Sequence, residues 1–358
     1  KIITLDIGGT STAVSLCAGS PTMRPEMTLD GLPCRIRTLD IETVGAGGGS
    51  IARVDSGGAL RVGPESAGAI PGPAAYGRGG TAVTVSDAQA VLGRLHPEHF
   101  LGGKMRLHVD LAEQAVAALA APLGLSTQAT ALGVIALANS NIERAIRKIS
   151  IARGHDPRDF TLVAFGGMGP LHACEIAGRL GIRTILIPHF PGVMCALGLL
   201  LSDMRIETSQ TLLNLLDNTL PAKLSGAASK MAEMVSEQLI QQMTEQGTIT
   251  IRASVDARYA GQAHEINIPL LAGDDAAALE ARFHEAHRRS FGHDFPKRVI
   301  EVVTMRVEGT AHRAKGDLPM PSLTQVTRDT HAISQQRLTF EDGQTAGTVV
   351  FRDALAAG

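Results

Sequence analysis

The sequence predicts an α/β protein followed by a smaller α+β unit, and three observations predict it. The first is the opening stretch: an apolar run of Ile2, Ile3 and Leu5 delivers Asp6 to Gly8-Gly9-Thr10, and a second strand-like run over 12–16 leads away, as in a hairpin. The second is Phe160-Thr161-Leu162-Val163-Ala164-Phe165, a continuous apolar strand that runs into Gly166-Gly167-Met168-Gly169-Pro170 and then alternates helix, strand, helix. The third is a change of style past Ser202, where a long Met-rich amphipathic helix and extended runs take over. The expected division is therefore 1–205 for the α/β part and 206–358 for the α+β part.

Composition bounds the function. With 358 residues, 44% of them hydrophobic, the chain can bury a large core and divide into about two or three domains. A formal charge of -2 and no dense Lys/Arg block argue against a nucleic-acid partner. The longest apolar stretch, 193–201, falls short of the ~20 residues a spanning helix needs, so no membrane is expected. Cys17, Cys34, Cys174 and Cys195 are far apart and form no C-x-x-C pair, which argues against a disulfide framework or a zinc knuckle and for a cytoplasmic home. The chain opens in mid-strand on Lys1 and ends just after a strand-like run over 346–351, which reads as a fragment.

The opening turn can hold a phosphate. Gly8 and Gly9 lack a Cβ, so their amides can approach an anion; Thr10, Ser11 and Thr12 add hydroxyls, and Asp6 can orient water or Mg²⁺. An ordinary Gly-Gly hairpin turn fits the same residues. The stretch over 20–39 is poorly periodic, and a Gly cluster at Gly45, Gly47, Gly48 and Gly49 then precedes a strand-like run. Asp55-Ser56-Gly57-Gly58 is a turn, and the Gly/Pro-rich 63–81 reads as an ordered, functional loop. Over 84–93 a short strand, a cap and a helix are expected, with Asp87 at the helix N-terminus, where plain N-capping is the simpler role.

Helices follow over 110–121 and 127–153, the second closed by Arg147, Lys148 and Arg153 at its negative end, with Asn139 and Asn141 read as solvated. The strand over 160–165 should meet a ligand where its Gly turn opens onto the helix 171–180, unless those glycines serve only close helix–strand packing. A buried strand over 182–188 and a helix over 192–202 complete the α/β part. The rest reads as a helix over 227–246, strands over 249–260 and 263–268, a helix over 276–291 and a strand over 299–309. His284 and His287 fall on a surface-looking Arg/Glu-rich helix without H-E-x-x-H spacing, so no metal site is expected there.

The pairing of Asp6-Ile7-Gly8-Gly9-Thr10 with the Gly turn after Phe165 resembles half of the actin-like (ribonuclease H-like) ATPase superfamily. The blocks 43–50, 62–80, 84–95, 153–173 and 191–203, with 256–262 and Phe291-Gly292-His293, resemble the hydantoinase A/oxoprolinase family. The resemblance implies an actin-like ATPase lobe with a C-terminal α+β subdomain, and a missing N-terminal lobe of the same polypeptide that carries its own Gly-Gly-Thr hairpin. It implies ATP and Mg²⁺ as cofactors, a cyclic amide or ketone as substrate, a B-type subunit or domain as partner, and an oligomer. By the same resemblance Gly8, Gly9, Thr10 and Ser11 bind phosphate, with Gly47 and Gly48 beside them, and Gly166, Gly167 and Gly169 flank the nucleoside. Asp6 is the expected catalytic and metal-binding carboxylate, with Asp87 and His172 as further catalytic candidates. Asp6→Ala or Gly166→Ala should then abolish ATP-dependent turnover without unfolding the protein. Cys195, near a helix start, is either an activated nucleophile or an inert core thiol, and its neighbours Met194, Ala196 and Leu197 favour the second. The family commonly carries an aspartate where this chain has Ala13.

The implied activity is hydrolysis of hydantoin- or 5-oxoproline-type rings by phosphorylation of a substrate oxygen. Ketone carboxylation and nucleotide binding with little catalysis are the alternatives.

Overall fold

The structure, a computed structural model, describes residues 1–24, 27–29, 31–34, 38–243, 247–312 and 332–350. Two compact units emerge, Lys1–Ala196 with Pro321–Gly358, and Leu197–Met320.

The first unit is built on a five-stranded mixed sheet. β1 (Ile2–Ile7) and β2 (Thr12–Cys17) alternate buried and half-buried residues, so Ile3, Leu5, Ile7, Val14 and Leu16 enter the core while Asp6 and Ala13 share the other face. β2 pairs antiparallel with β3 (Ile41–Val44), and a separate two-stranded ribbon follows, β4 (Ser50–Val54) with β5 (Leu60–Ser66). α1 (Val85–Val91), α2 (Val109–Ala120) and α3 (Thr127–Ile149) come next, and Ile135, Ala138, Ile142, Ile146 and Ile149 of α3 give it one continuous buried face. β6 (Thr161–Phe165) then enters the sheet parallel to β1, with Asp6 in register with Phe165. α4 (Gly169–Leu180) and β7 (Ile185–Leu186) complete the order β7-β6-β1-β2-β3. Because β1 and β6 are parallel neighbours, their carboxyl ends open side by side, the place where open α/β sheets bind ligands.

The expected strand over 182–188 is reduced to Ile185 and Leu186 at the sheet edge, with Leu186 53% exposed, so it is not buried. The helix after it, α5 (Met194–Leu201), is exposed along most of its length, although its composition reads as core.

The second unit is an antiparallel sheet with two helices. β8 (Met204–Leu215), α6 (Leu220–Gln242), β9 (Thr248–Tyr259), β10 (Ile266–Leu270), α7 (Ala276–Phe291) and β11 (Ile300–His312) follow in chain order, with strand order β8-β11-β9-β10. Leu224, Met231, Val235 and Leu239 of α6 and Leu279 and Phe283 of α7 share its core with Val255, Tyr259, Val302 and Met305. His284 and His287 are buried here, not on the surface as their Arg/Glu-rich helix suggested: Tyr259 Oη lies 2.8 Å from His284 Nδ1, and the Tyr259 ring packs 4.9 Å from that of His287. No group of three or more His, Cys, Asp or Glu suited to a metal occurs among the described residues.

The hairpin of β12 (Ala332–Phe340) and β13 (Gly343–Val350) departs from the expected division at 205/206, because it packs on the first unit. Thr339 donates to Leu92 O at 3.0 Å, Arg94 Nε donates to Thr339 O at 3.1 Å, and the Arg94 guanidinium lies over the Phe340 ring. No single helix among the described residues is long and apolar enough to cross a membrane.

Candidate functional site

At the carboxyl end of β1 the chain makes the four-residue loop Gly8, Gly9, Thr10, Ser11, closed by Gly8 N–H donating to Ser11 O at 3.0 Å. Gly9 and Thr10 are exposed, and the amides of Gly9, Thr10 and Ser11 have no protein acceptor among the described residues. Unspent N–H groups on a partly exposed turn, with two hydroxyls beside them, make a donor set for an anion.

The loop is held from behind. Gly48 donates to Gly8 O at 2.9 Å, Gly49 donates to Gly9 O, and Thr12 Oγ1 donates to Ala46 O. Gly47 lies so close that a Cβ there would sit 2.8 Å from Gly8 O, Ser11 N and Thr10 C. Gly47 and Gly48 are themselves buried, and the Gly47 amide is spent on Ser50 Oγ at 2.8 Å. The two glycines expected beside the phosphate therefore act one step back, as the wall against which the loop is moulded.

Asp6 stands beside this loop. Its cross-strand neighbour is Ala13, so no second carboxylate faces it from β2. Its Oδ1 lies against Gly166, where a Cβ would collide with that oxygen and with Ile7 O, and Gly166 adopts φ +80°, a conformation suited to glycine. Gly166 N–H donates to Pro191 O at 2.8 Å and Met168 N–H to Ile7 O at 3.0 Å, which ties the turn both to β1 and to the segment before α5. Gly167 is exposed, whereas Gly169 is buried and opens α4, with Leu5 O 3.2 Å from where its Cβ would be. Gly169 thus serves close helix–strand packing, leaving Gly167 as the accessible member of the turn.

Cys195 is exposed instead of lying in the core, and its Sγ donates to Asp6 Oδ2 at 3.1 Å. That hydrogen bond, and then burial, push the thiol above its ordinary pKa, the reverse of an activated nucleophile. Its contact with Asp6 is not read from the sequence, although the strand–turn–helix rhythm places the start of α5 at the same sheet end as Asp6.

Asp87 and His172, the further catalytic candidates, belong elsewhere. Asp87 is fully buried and accepts from Ala75 N at 2.8 Å, Ala74 N at 3.2 Å, and Thr84 N and Oγ1, both at 2.8 Å. It is the third residue of α1 in a capping box with Thr84, and it pins the Gly/Pro loop through two backbone amides. Burial raises its pKa against those donors. His172 is 1% exposed, with Nδ1 2.6 Å from Asn139 Oδ1 and Nε2 3.3 Å from Gln89 Nε2. Asn139, expected in solvent, is buried and also donates to Glu175 Oε2 at 2.6 Å, and Glu175 pairs with Arg94 at 2.9 Å. Burial, and then the Arg94 charge, lower the His172 pKa to about 4, so the ring is neutral and structural. The hydrogen bonds of both side chains go to these partners and not to the Gly8–Ser11 loop.

A cleft of about 680 Å³ lies elsewhere in this unit, lined by Arg53, Arg61, Leu60, Leu137 and Arg144 among others, and includes none of these site residues. The family model for hydantoinase/oxoprolinase matches residues 1–208, more than half of the chain. The chain belongs to the hydantoinase/oxoprolinase family. Within this family it is 37% identical over 353 residues to the caprolactamase subunit alpha of Pseudomonas jessenii, covering 93% of this chain and 49% of that one. It is 32% identical to 5-oxoprolinase 1 of Arabidopsis thaliana, over 86% of this chain and 26% of that one. Among solved structures, nucleotide-free acetone carboxylase superposes with a TM-score of 0.84 at 26% identity, covering 99% of this chain and 52% of the other. This hydantoinase/oxoprolinase chain thus spans about half or less of the length of these relatives.

Proposed function

We propose that the chain is one actin-like lobe of an ATP-dependent cyclic amide hydrolase, in which the Gly8–Ser11 loop receives the phosphates. The observation that carries this reading is the loop itself, with its unspent amides, a moulded wall behind and one carboxylate at its side. The donor set fits a polyphosphate. A single carboxylate also fits Mg²⁺, which is usually held by one or two carboxylates with phosphate and water completing its shell.

When bound, the nucleotide supplies the phosphoryl group that turns an unreactive amide oxygen into a leaving group. Gly9, Thr10 and Ser11 donate N–H and O–H groups to phosphate oxygens, in a site that costs no rearrangement because its wall is already packed. Asp6 accepts a proton from water or holds the cation at the end of β1. Gly167 borders the nucleoside, and Gly166 keeps the space beside Asp6 free of a side chain. The other lobe of the polypeptide and a B-type partner complete the enzyme.

The resemblance to acetone carboxylase over 99% of the chain favours ketone carboxylation as the second reading. ADP release by the full-length protein with its partner separates the two. Stimulation by 5-oxoproline, hydantoin or caprolactam supports the hydrolase, and stimulation by a ketone with bicarbonate supports the carboxylase. Tight ATP binding with no stimulated turnover overturns both in favour of a binding module. Asp6→Asn should abolish the stimulated rate, and wild-type turnover in that folded variant removes Asp6 from the site.

A further inference from the structure

Among the described residues Asp6 has one side-chain hydrogen-bond donor, and it is the thiol of Cys195 at 3.1 Å. The two oxygens of the carboxylate are thus constrained from different sides: Oδ1 rests against Gly166, and Oδ2 accepts from Cys195. The position of Cys195 is itself fixed, because Gly166 N–H grips Pro191 O at 2.8 Å and the 3₁₀ turn Pro191–Val193 leads directly into α5. One turn of chain therefore sets both contacts.

We propose that Cys195 is a positioning residue that holds the Asp6 carboxylate, through a neutral S–H···O bond, in the orientation in which it meets a cation or water beside the Gly8–Ser11 loop. The proposal rests on the reading of Asp6 given under Proposed function. A thiol suits the task chemically. It donates weakly and carries no charge, so it orients the carboxylate without neutralising it, whereas a lysine or arginine in its place would compete with the cation. A hydroxyl can do the same with a shorter bond, which makes serine the conservative replacement.

The test uses the full-length protein with its partner and three variants, Cys195→Ala, Cys195→Ser and Asp6→Asn. The Mg²⁺ dependence of stimulated ATP hydrolysis is measured, together with the S–H stretch of Cys195 from Raman difference spectra of wild type against Cys195→Ser. Loss of one hydrogen bond to a charged group should raise the Mg²⁺ needed for half-maximal rate about tenfold in Cys195→Ala and lower kcat by less than about threefold. Cys195→Ser should return to within about threefold of wild type. The Cys195 S–H stretch should lie below that of the exposed Cys174 and move up in Asp6→Asn. An unchanged Mg²⁺ dependence in Cys195→Ala, or an unshifted S–H stretch, with Asp6→Asn inactive, overturns the positioning role and leaves the Asp6 assignment standing. Full activity in Asp6→Asn overturns both.

Discussion

Asp6 and Ala13 sit directly opposite one another in the β1–β2 ladder, on the face that does not enter the core. Introducing an aspartate by Ala13→Asp places two carboxylates across one rung. Like charges so placed cost roughly 0.2–1 kcal/mol, a fall in Tm of about 1–3 °C for a unit of this size. A divalent cation bridging them reverses the sign. Thermal melts should show a lower Tm for Ala13→Asp without metal and a larger Mg²⁺-induced rise than in wild type; equal metal responses would count against Asp6 as the cation's ligand.

Gly47 touches no ligand in this reading, yet Gly47→Ala should harm nucleotide binding more than Gly167→Ala. The added methyl at 47 meets three backbone atoms of the loop at 2.8 Å, whereas at 167 it meets nothing within 4 Å. Calorimetric titration of the two-lobed protein with ATP should show at least about tenfold weaker binding for Gly47→Ala, since a displaced loop forfeits one or more charge-assisted hydrogen bonds. Gly166→Ala is a poorer probe than sequence suggested, because it strains the backbone as well as crowding Asp6 and so lowers stability along with binding.

Asp87 should matter for folding and not for chemistry. Asp87→Asn turns amide hydrogens towards donors that now face a carboxylate, at a cost of about 2–4 kcal/mol in denaturant unfolding. The KM for ATP in the fraction that stays folded should match wild type, and a selective loss of kcat with unchanged stability would return Asp87 to the catalytic list.

His172 predicts a pH signature. Its folded pKa of about 4 lies below the ordinary 6.5, so the fold favours the neutral ring. The stabilisation is complete above pH 6.5 and is lost as pH falls through 6.5 towards 4, amounting to about 3 kcal/mol at roughly 1.4 kcal/mol per unit. Unfolding free energies measured across that window should slope steeply for wild type and less for His172→Gln. Parallel slopes would place the acid sensitivity elsewhere.

Much of this was legible in the sequence, and what was not shares a physical cause. The hairpin, the Gly turn after Phe165 and the helix beginning at Thr127, expected to 153 and ending at Ile149, announce themselves through local glycine chemistry and periodicity. The roles of His172, Asn139 and Cys195 depend on partners far along the chain: 33 residues separate His172 from Asn139, and 189 separate Cys195 from Asp6. Pattern marks Asn139 as polar and hence solvated; only packing shows that it is polar because it bridges the buried His172 and the half-buried Glu175. Asp87 was correctly placed at a helix N-terminus, but the two loop amides it also binds lie 12 and 13 residues upstream.

The hairpin that returns to the first unit gives synthesis a timetable. Arg94 and the Thr339 carbonyl it binds are 245 residues apart, a stretch that at about 5–20 residues per second takes roughly 12–50 s to translate. Until then Arg94 has Glu175 but not Thr339 or Phe340, and the end of α1 presents Leu92 O without its strand partner. A nascent chain halted before residue 332 should therefore leave the segment after α1 open to chaperones, and the last contacts of the first unit are made only after the second has left the ribosome.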